Sequence, residues 1–231
     1  MNLTGRIVAV TGGFGSLGTA VAKAAQAAGA KVAAIDRAAA SKAPAIISNA
    51  LLLGDVDLDS SAAAQGVFKT ISERLGGLDA LVNVAGAFRW ETLESGSIDT
   101  WDLLYKVNLR TAVNASKAAL PYLQQRGAGR IVNIGAGAAA KAAAGMGAYA
   151  ASKAGVARLT EAMAEELKDR AITVNAVLPS IIDTPQNRAD MPDADFSRWV
   201  QPAALADVIV FLLSGHASAI TGALIPVTGR V

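Results

Sequence analysis

The strongest constraint on the fold lies in the first thirty residues, where a strand, a glycine-rich turn and a helix follow one another without a linker. Residues 6–10, Arg-Ile-Val-Ala-Val, are a short apolar run rich in β-branched side chains and read as a buried strand. The run passes directly into Thr11, Gly12, Gly13, Phe14, Gly15, Ser16, Leu17 and Gly18. An alanine-rich stretch to Ala28 then reads as a helix, with Gly29 as its cap. Such a unit makes a phosphate cradle. Glycines let the backbone approach a pyrophosphate, and the helix N-terminus offers free N–H groups and the positive end of a dipole. The bland alternative is an ordinary glycine-rich turn.

Apolar strands alternate with longer alanine-rich helical stretches along the whole chain. This pattern predicts an α/β fold, a doubly wound parallel sheet with helices on both faces. Strands are expected near residues 6–11, 31–36, 50–54, 79–84, 130–134, 172–178 and 223–227, about seven in all. With 231 residues and no internal repeat or low-complexity linker, the chain fits one Rossmann-like domain, residues 1–231. After the second strand stands Asp36, where an acidic residue can grip an adenosine ribose. The same carboxylate would repel a ribose 2′-phosphate by several kcal/mol at about 4 Å and an effective dielectric near 20. NADH is therefore the preferred cofactor. Arg37 pulls the other way, because a guanidinium can hold a 2′-phosphate, so NADPH stays open. A turn-starting role for Asp36 is the alternative.

Tyr149 and Lys153 are four residues apart, in Tyr-Ala-Ala-Ser-Lys, and on a helix they share a face. A phenol with a reference pKa of about 10 is a poor acid at neutral pH. An adjacent ammonium favours the phenolate and is expected to draw that pKa down, which makes a proton donor for carbonyl or imine reduction. Alone, this spacing occurs by chance in many helices.

Together these residues resemble the short-chain dehydrogenase/reductase family over essentially the whole chain. The matches run in order: the glycine-rich turn, Asp36, residues 83–86 (Asn-Val-Ala-Gly), Asn108, Tyr149 with Lys153, and residues 179–184 (Pro-Ser-Ile-Ile-Asp-Thr). The resemblance implies an NAD(P)H-dependent oxidoreductase in which Tyr149 protonates, Lys153 lowers its pKa and orients the ribose, and Asn108 completes a relay. It also implies that Asp57 contacts adenine, that the backbone at Asn83, Ala85 and Gly86 faces the cofactor, and that Pro179, Ile182 and Thr184 surround the nicotinamide amide. Asp57 could equally cap a helix, and Asn108 could be a hydrogen-bonded core residue. Members of the family are usually homodimers or homotetramers assembled through the helices carrying Asn108 and Tyr149. Small residues from Ala150 to Ala164 would permit such packing.

Two departures from the family pattern carry more information than the matches. Ser16 stands at the middle glycine of the turn, with Gly15 before it, and Ala136 stands where a catalytic serine is usual, thirteen residues before the tyrosine. Both resemble the dihydropteridine reductase branch, as do residues 183–199 and the aromatic Phe88. Losing one well-placed donor to a developing oxyanion costs about 3–4 kcal/mol, or 10²–10³ in rate. A conjugated acceptor, such as a quinonoid dihydropteridine, needs less polarisation and tolerates alanine. Ser180 or Lys141 could instead supply a substitute donor, which would fit a general carbonyl reductase or alcohol dehydrogenase. A dinucleotide-binding regulator without catalysis is the reading from another class, with Ala136 in its favour and the retained Tyr149, Lys153 and Asn108 against it. Phe88, Ala136 and Ser180 are the candidate substrate-side residues.

Composition removes other classes. The net charge is +2, with lysines and arginines scattered, so nucleic acid binding has no footprint. There is no cysteine and one histidine, which excludes disulfides and thiolate chemistry and makes a zinc site improbable. His216 reads as a solvated loop residue between the last helix and the last strand. Residues 208–229 lack charge but are broken by Ser-Gly-His, Gly222 and Pro226, so they read as helix, turn and strand rather than a membrane span. With no signal peptide visible, a cytoplasmic protein is expected.

Overall fold

The computed structural model describes residues 1–231. Seven strands form one sheet: β1 (Ile7–Thr11), β2 (Lys31–Ile35), β3 (Leu51–Leu53), β4 (Ala80–Asn83), β5 (Gly129–Ile134), β6 (Ile172–Pro179) and β7 (Leu224–Val227). Their order across the sheet is β3-β2-β1-β4-β5-β6-β7, and every pairing is parallel. All seven lie where the apolar runs predict them, with ends differing by one or two residues. β1, β4, β5 and β6 are buried at every position. That is the burial of strands covered on both faces, and it explains why their sequences run apolar without alternation.

Helices α1 (Ser16–Ala27), α2 (Ser61–Leu75), α3 (Ile98–Leu104), α4 (Thr111–Gln125), α5 (Gly147–Leu167), α6 (Pro185–Asp190) and α7 (Pro202–Leu213) complete the layers. One core joins Val8 and Val10 of β1 to Val21 of α1 and Leu205, Ile209 and Leu213 of α7. The other joins Ile7 and Ala9 to Phe68 of α2, Leu123 of α4 and Leu167 of α5. Successive residues of β1 therefore supply opposite faces, as the period of a strand requires. Gly29 follows α1 with φ +95, where its lack of a Cβ matters, and donates its N–H to the Gln26 carbonyl.

Asp79, buried just before β4, ties the amino edge of the sheet. It accepts from the Ile7 N–H at 2.8 Å and takes both arms of the Arg126 guanidinium at 3.1 Å. That contact holds Arg126 above its ordinary pKa. His216 is exposed in a short turn, Gly215–Ala217, between α7 and β7. No helix is long and apolar enough to cross a membrane.

Candidate active site

The strand order reverses between β1 and β4, and in a doubly wound sheet the crevice beyond the carboxyl ends at such a point is where ligands bind. A cleft of about 440 Å³ opens there, lined by Gly12, Gly15, Ser16, Leu17 and Gly18 of the turn, with Asp36, Arg37, Asp57, Ala85, Gly86 and Thr184. The turn packs closely because two of its glycines have no Cβ. A Cβ on Gly12, whose φ is +61, would stand 2.9 Å from the Ala85 backbone, and one on Gly18 would stand 2.1 Å from the Gly12 carbonyl oxygen. Ser16, at the first position of α1, is exposed, which explains how it replaces a glycine without disturbing the turn.

Asp36 does two things at once. It lines the cleft, and its two carboxylate oxygens accept from the Phe14 N–H at 3.0 Å and the Ala38 N–H at 2.9 Å. The glycine-rich turn is thereby fastened to the end of β2. Phe14 contributes through its backbone, since its ring packs against the core beside α1. Asp57 lines the cleft and accepts from the Asp59 N–H at 3.0 Å, whereas Ser60 caps α2. The capping alternative for Asp57 is thus not what the structure shows.

Asn83, Pro179 and Ile182 do not line this cleft. The Asn83 side chain turns into the interior, donating to Ser116 Oγ at 3.0 Å and Asn133 Oδ1 at 2.9 Å, because β4 is covered on both faces and this residue falls on the α4 side. Pro179 ends β6 and Ile182 bridges to Val200, and neither lines the cleft. Ser180 donates its hydroxyl proton to the Thr228 carbonyl at 2.7 Å, which takes it out of use as a replacement donor in this arrangement. Lys141 is exposed in the loop between Gly137–Ala139 and α5. Ala136 itself is buried and extended, with φ −161.

Tyr149 and Lys153 lie one turn apart at the start of α5, with the ammonium 6.0 Å from the phenol ring centroid. The edge of Phe88 meets the Tyr149 ring at 4.9 Å between centroids, with the planes at 85°. Lys153 is buried and donates to the Ile134 carbonyl at 2.8 Å. Burial pushes the phenol up to about 12 and the ammonium down to about 8. The expected lowering of the Tyr149 pKa is therefore reversed here. Desolvation outweighs an ammonium that makes no hydrogen bond to the phenol and gives its proton to a carbonyl. A neutral phenol is nevertheless the form a proton donor requires.

Asn108 occupies a π-helical turn, Tyr105–Arg110, between α3 and α4. Such turns recur at functional sites. Its amide exchanges two hydrogen bonds with the backbone of Ala87, at 2.8 and 3.0 Å, and donates a third to Ser152 Oγ at 2.9 Å. Gly86, Asn108 and Lys153 meet so closely that a Cβ on Gly86 would stand 2.7 Å from Asn108 Oδ1 and 3.5 Å from Lys153 Nζ.

This constellation has known relatives. The profile of the short chain dehydrogenase family matches residues 6–195. The chain belongs to the short-chain dehydrogenase family. It is 35% identical over 244 residues to the 3-oxoacyl-[acyl-carrier-protein] reductase FabG of Vibrio harveyi, across 99% of this chain and 98% of that protein. It is 32% identical over 246 residues to 2-(S)-hydroxypropyl-CoM dehydrogenase 3 of Xanthobacter autotrophicus, across 98% and 96%. A short chain dehydrogenase from Burkholderia cenocepacia, solved in complex with NADP, superposes with a TM-score of 0.91 at 34% identity, across 99% and 98%. The chain is thus an NAD(P)-dependent oxidoreductase with a Rossmann-like fold.

Several residues escaped the sequence reading. Thr11 Oγ1 accepts from the N–H groups of Val84 and Ala85, at 3.0 and 3.1 Å, locking the two strand ends that flank the cleft. Arg110 pairs with Asp59 beside the cleft, and this contact raises the Arg110 pKa. Trp90 packs against Gly145, where a Cβ would fall 2.2 Å from the indole. Residues 183–201 are braced by the Arg188–Asp183 pair at 2.5 and 2.7 Å, by Gln201 on the same carboxylate at 2.8 Å, and by Arg188 over the Phe196 ring at 4.7 Å. These bonds hold Asp183 at about 2.

Proposed function

We propose that this protein is an NADH-dependent reductase of a conjugated acceptor, such as a quinonoid dihydropteridine, with Tyr149 as proton donor. The observation that carries the reading is Ala136. It is buried at the position of the family's usual hydroxyl, and the Ser180 proton is engaged elsewhere. The site offers one phenol donor, Tyr149, where a plain ketone wants two groups polarising its oxygen. An acceptor whose electrons are already delocalised needs only the one.

The residues present fit a dinucleotide. Gly12, Gly13 and Gly18 let the turn pack directly on β2, on the backbone after β4 and on the start of α1, which leaves its backbone free to face a pyrophosphate, and the first turn of α1 presents its N–H groups and the Ser16 hydroxyl. Asp36 would hold the adenosine ribose and favour NADH, with Arg37 and Asp57 beside it, while Ala85, Gly86 and Thr184 would hold the nicotinamide half, with Lys153 behind Gly86. A bound nicotinamide supplies hydride. Tyr149, kept neutral by burial, donates a proton at its hydroxyl. Lys153, held by the Ile134 carbonyl, would restore that proton from the interior side, with Asn108 fixed beside it by Ala87. Phe88 walls the acceptor side of the phenol. The whole chain acts as one catalytic unit, paired as a homodimer or homotetramer through α4 and α5.

The 35% identity to a 3-oxoacyl-[acyl-carrier-protein] reductase favours a second reading, reduction of a 3-oxoacyl thioester. Steady-state oxidation of NADH and NADPH against a quinonoid dihydropteridine, a 3-oxoacyl thioester and simple ketones separates them. Turnover of the pterin with NADH, abolished in Tyr149→Phe, supports the first reading. Turnover of the thioester alone replaces it with the second.

A further inference from the structure

We infer that Ser152 is a positioning residue, whose hydroxyl fixes the buried Asn108 amide against the first turn of α5 and so sets Lys153 relative to the π turn. The inference rests on the proposed roles of Tyr149, Lys153 and Asn108. A π turn between two regular helices needs something to hold it, and within Tyr105–Arg110 only Asn108 is buried. The side-chain bonds of Asn108 therefore carry the tie.

The direction of each bond is settled by counting protons. Ser152 has one hydroxyl proton, and it goes to the Tyr149 carbonyl at 2.7 Å. Its oxygen is then the acceptor for Asn108 Nδ2 at 2.9 Å. The other Nδ2 proton goes to the Ala87 carbonyl at 3.0 Å, while Oδ1 accepts the Ala87 N–H at 2.8 Å, so the amide cannot flip without losing all three. Both Ser152 and Asn108 are almost fully buried. One hydroxyl thus joins the backbone of Tyr149 and the neighbour of Lys153 to the π turn and to the strand end at Gly86 and Ala87. Without it, one buried N–H of Asn108 has no partner, and the direct tie between the Asn108 amide and α5 is lost, leaving Asn108 held by Ala87 alone.

The test compares Ser152→Ala with Ser152→Thr, which keeps the hydroxyl, in the full-length protein. Turnover is measured with NADH and whichever acceptor the wild type reduces best. The titration of Lys153 is followed by ¹⁵N NMR of lysine-labelled protein with no acceptor present. Ser152→Ala is expected to lower kcat by about tenfold with KM for NADH changed by less than about twofold. Its Lys153 titration should move, and Ser152→Thr should restore both readouts. Wild-type kcat and an unmoved lysine titration in Ser152→Ala would overturn the inference, as would equal impairment of Ser152→Thr. The lysine readout needs no acceptor, so failure of the proposed substrate would leave this test intact.

Discussion

Replacing Lys153 by methionine should make the protein more stable and inactive. Lys153 is 5% exposed, and its ammonium has a single hydrogen bond, to the Ile134 carbonyl at 2.8 Å. Burial lowers its pKa from 10.5 to about 8. A depression of that size means that the protonated folded state forgoes about 3 kcal/mol relative to the exposed lysine of the unfolded chain. Methionine has similar length and no charge to desolvate, while losing the bond to Ile134 costs about 1 kcal/mol. A net gain of about 2 kcal/mol corresponds to a melting temperature about 4–8 °C higher at pH 7 for a chain of this size. The pH dependence has a definite sign. Between about pH 8 and 10.5 the unfolded chain binds more protons at this lysine than the folded one, so wild-type stability rises across that window. Tyr149, with its folded pKa raised to about 12, contributes the opposite slope above pH 10 in both proteins and cancels in the difference. Calorimetric melts of both proteins from pH 7 to 10.5 should therefore converge as pH rises. A methionine variant less stable at pH 7, or a stability difference flat with pH, would refute the reasoning.

Other perturbations follow from the same geometry. Ala136→Ser should raise kcat/KM for simple ketones by about tenfold to a hundredfold, and far less for a conjugated acceptor, measured on both in parallel. Asp36→Ala should shift the NADH to NADPH ratio of kcat/KM toward NADPH by at least about tenfold, and lower the melting temperature slightly because the Phe14 and Ala38 N–H groups lose their acceptor. Asp79→Asn should destabilise by about 1–2 kcal/mol in denaturant unfolding, since it weakens the bonds of this buried carboxylate to the Ile7 N–H and to the exposed Arg126, and should leave KM for NADH unchanged. Turnover should fall as pH rises through about 8, where Lys153 loses its proton, and a pH–rate profile checks this.

Much of this architecture was legible because the strands carry their signal locally. Residues 6–10 and 172–178 are apolar and β-branched, and a parallel sheet buries both faces of such runs. The cradle was legible for a different reason. Gly12 and Gly18 stand where any Cβ would collide, so their identity is dictated by backbone spacing. What sequence could not give was orientation and burial. In β4 both faces are covered, so nothing in the pattern told which way Asn83 points. The direction of the Tyr149 and Lys153 shifts depends on desolvation by Phe88 and the β5 end, which are 61 and 15 or more residues away in the chain and meet only in the fold. Asparagine inside a helical pattern signalled an irregularity at Asn108, but not that it would be a π turn pinned by Ser152.

The most direct measurement is the rate of NADH oxidation by the wild-type protein with a quinonoid dihydropteridine, set beside a 3-oxoacyl thioester at matched concentration. Turnover of the pterin at the higher kcat/KM, lost in Tyr149→Phe, is the predicted result. Efficient reduction of the thioester with no pterin turnover would contradict the claim that Ala136 restricts this site to conjugated acceptors.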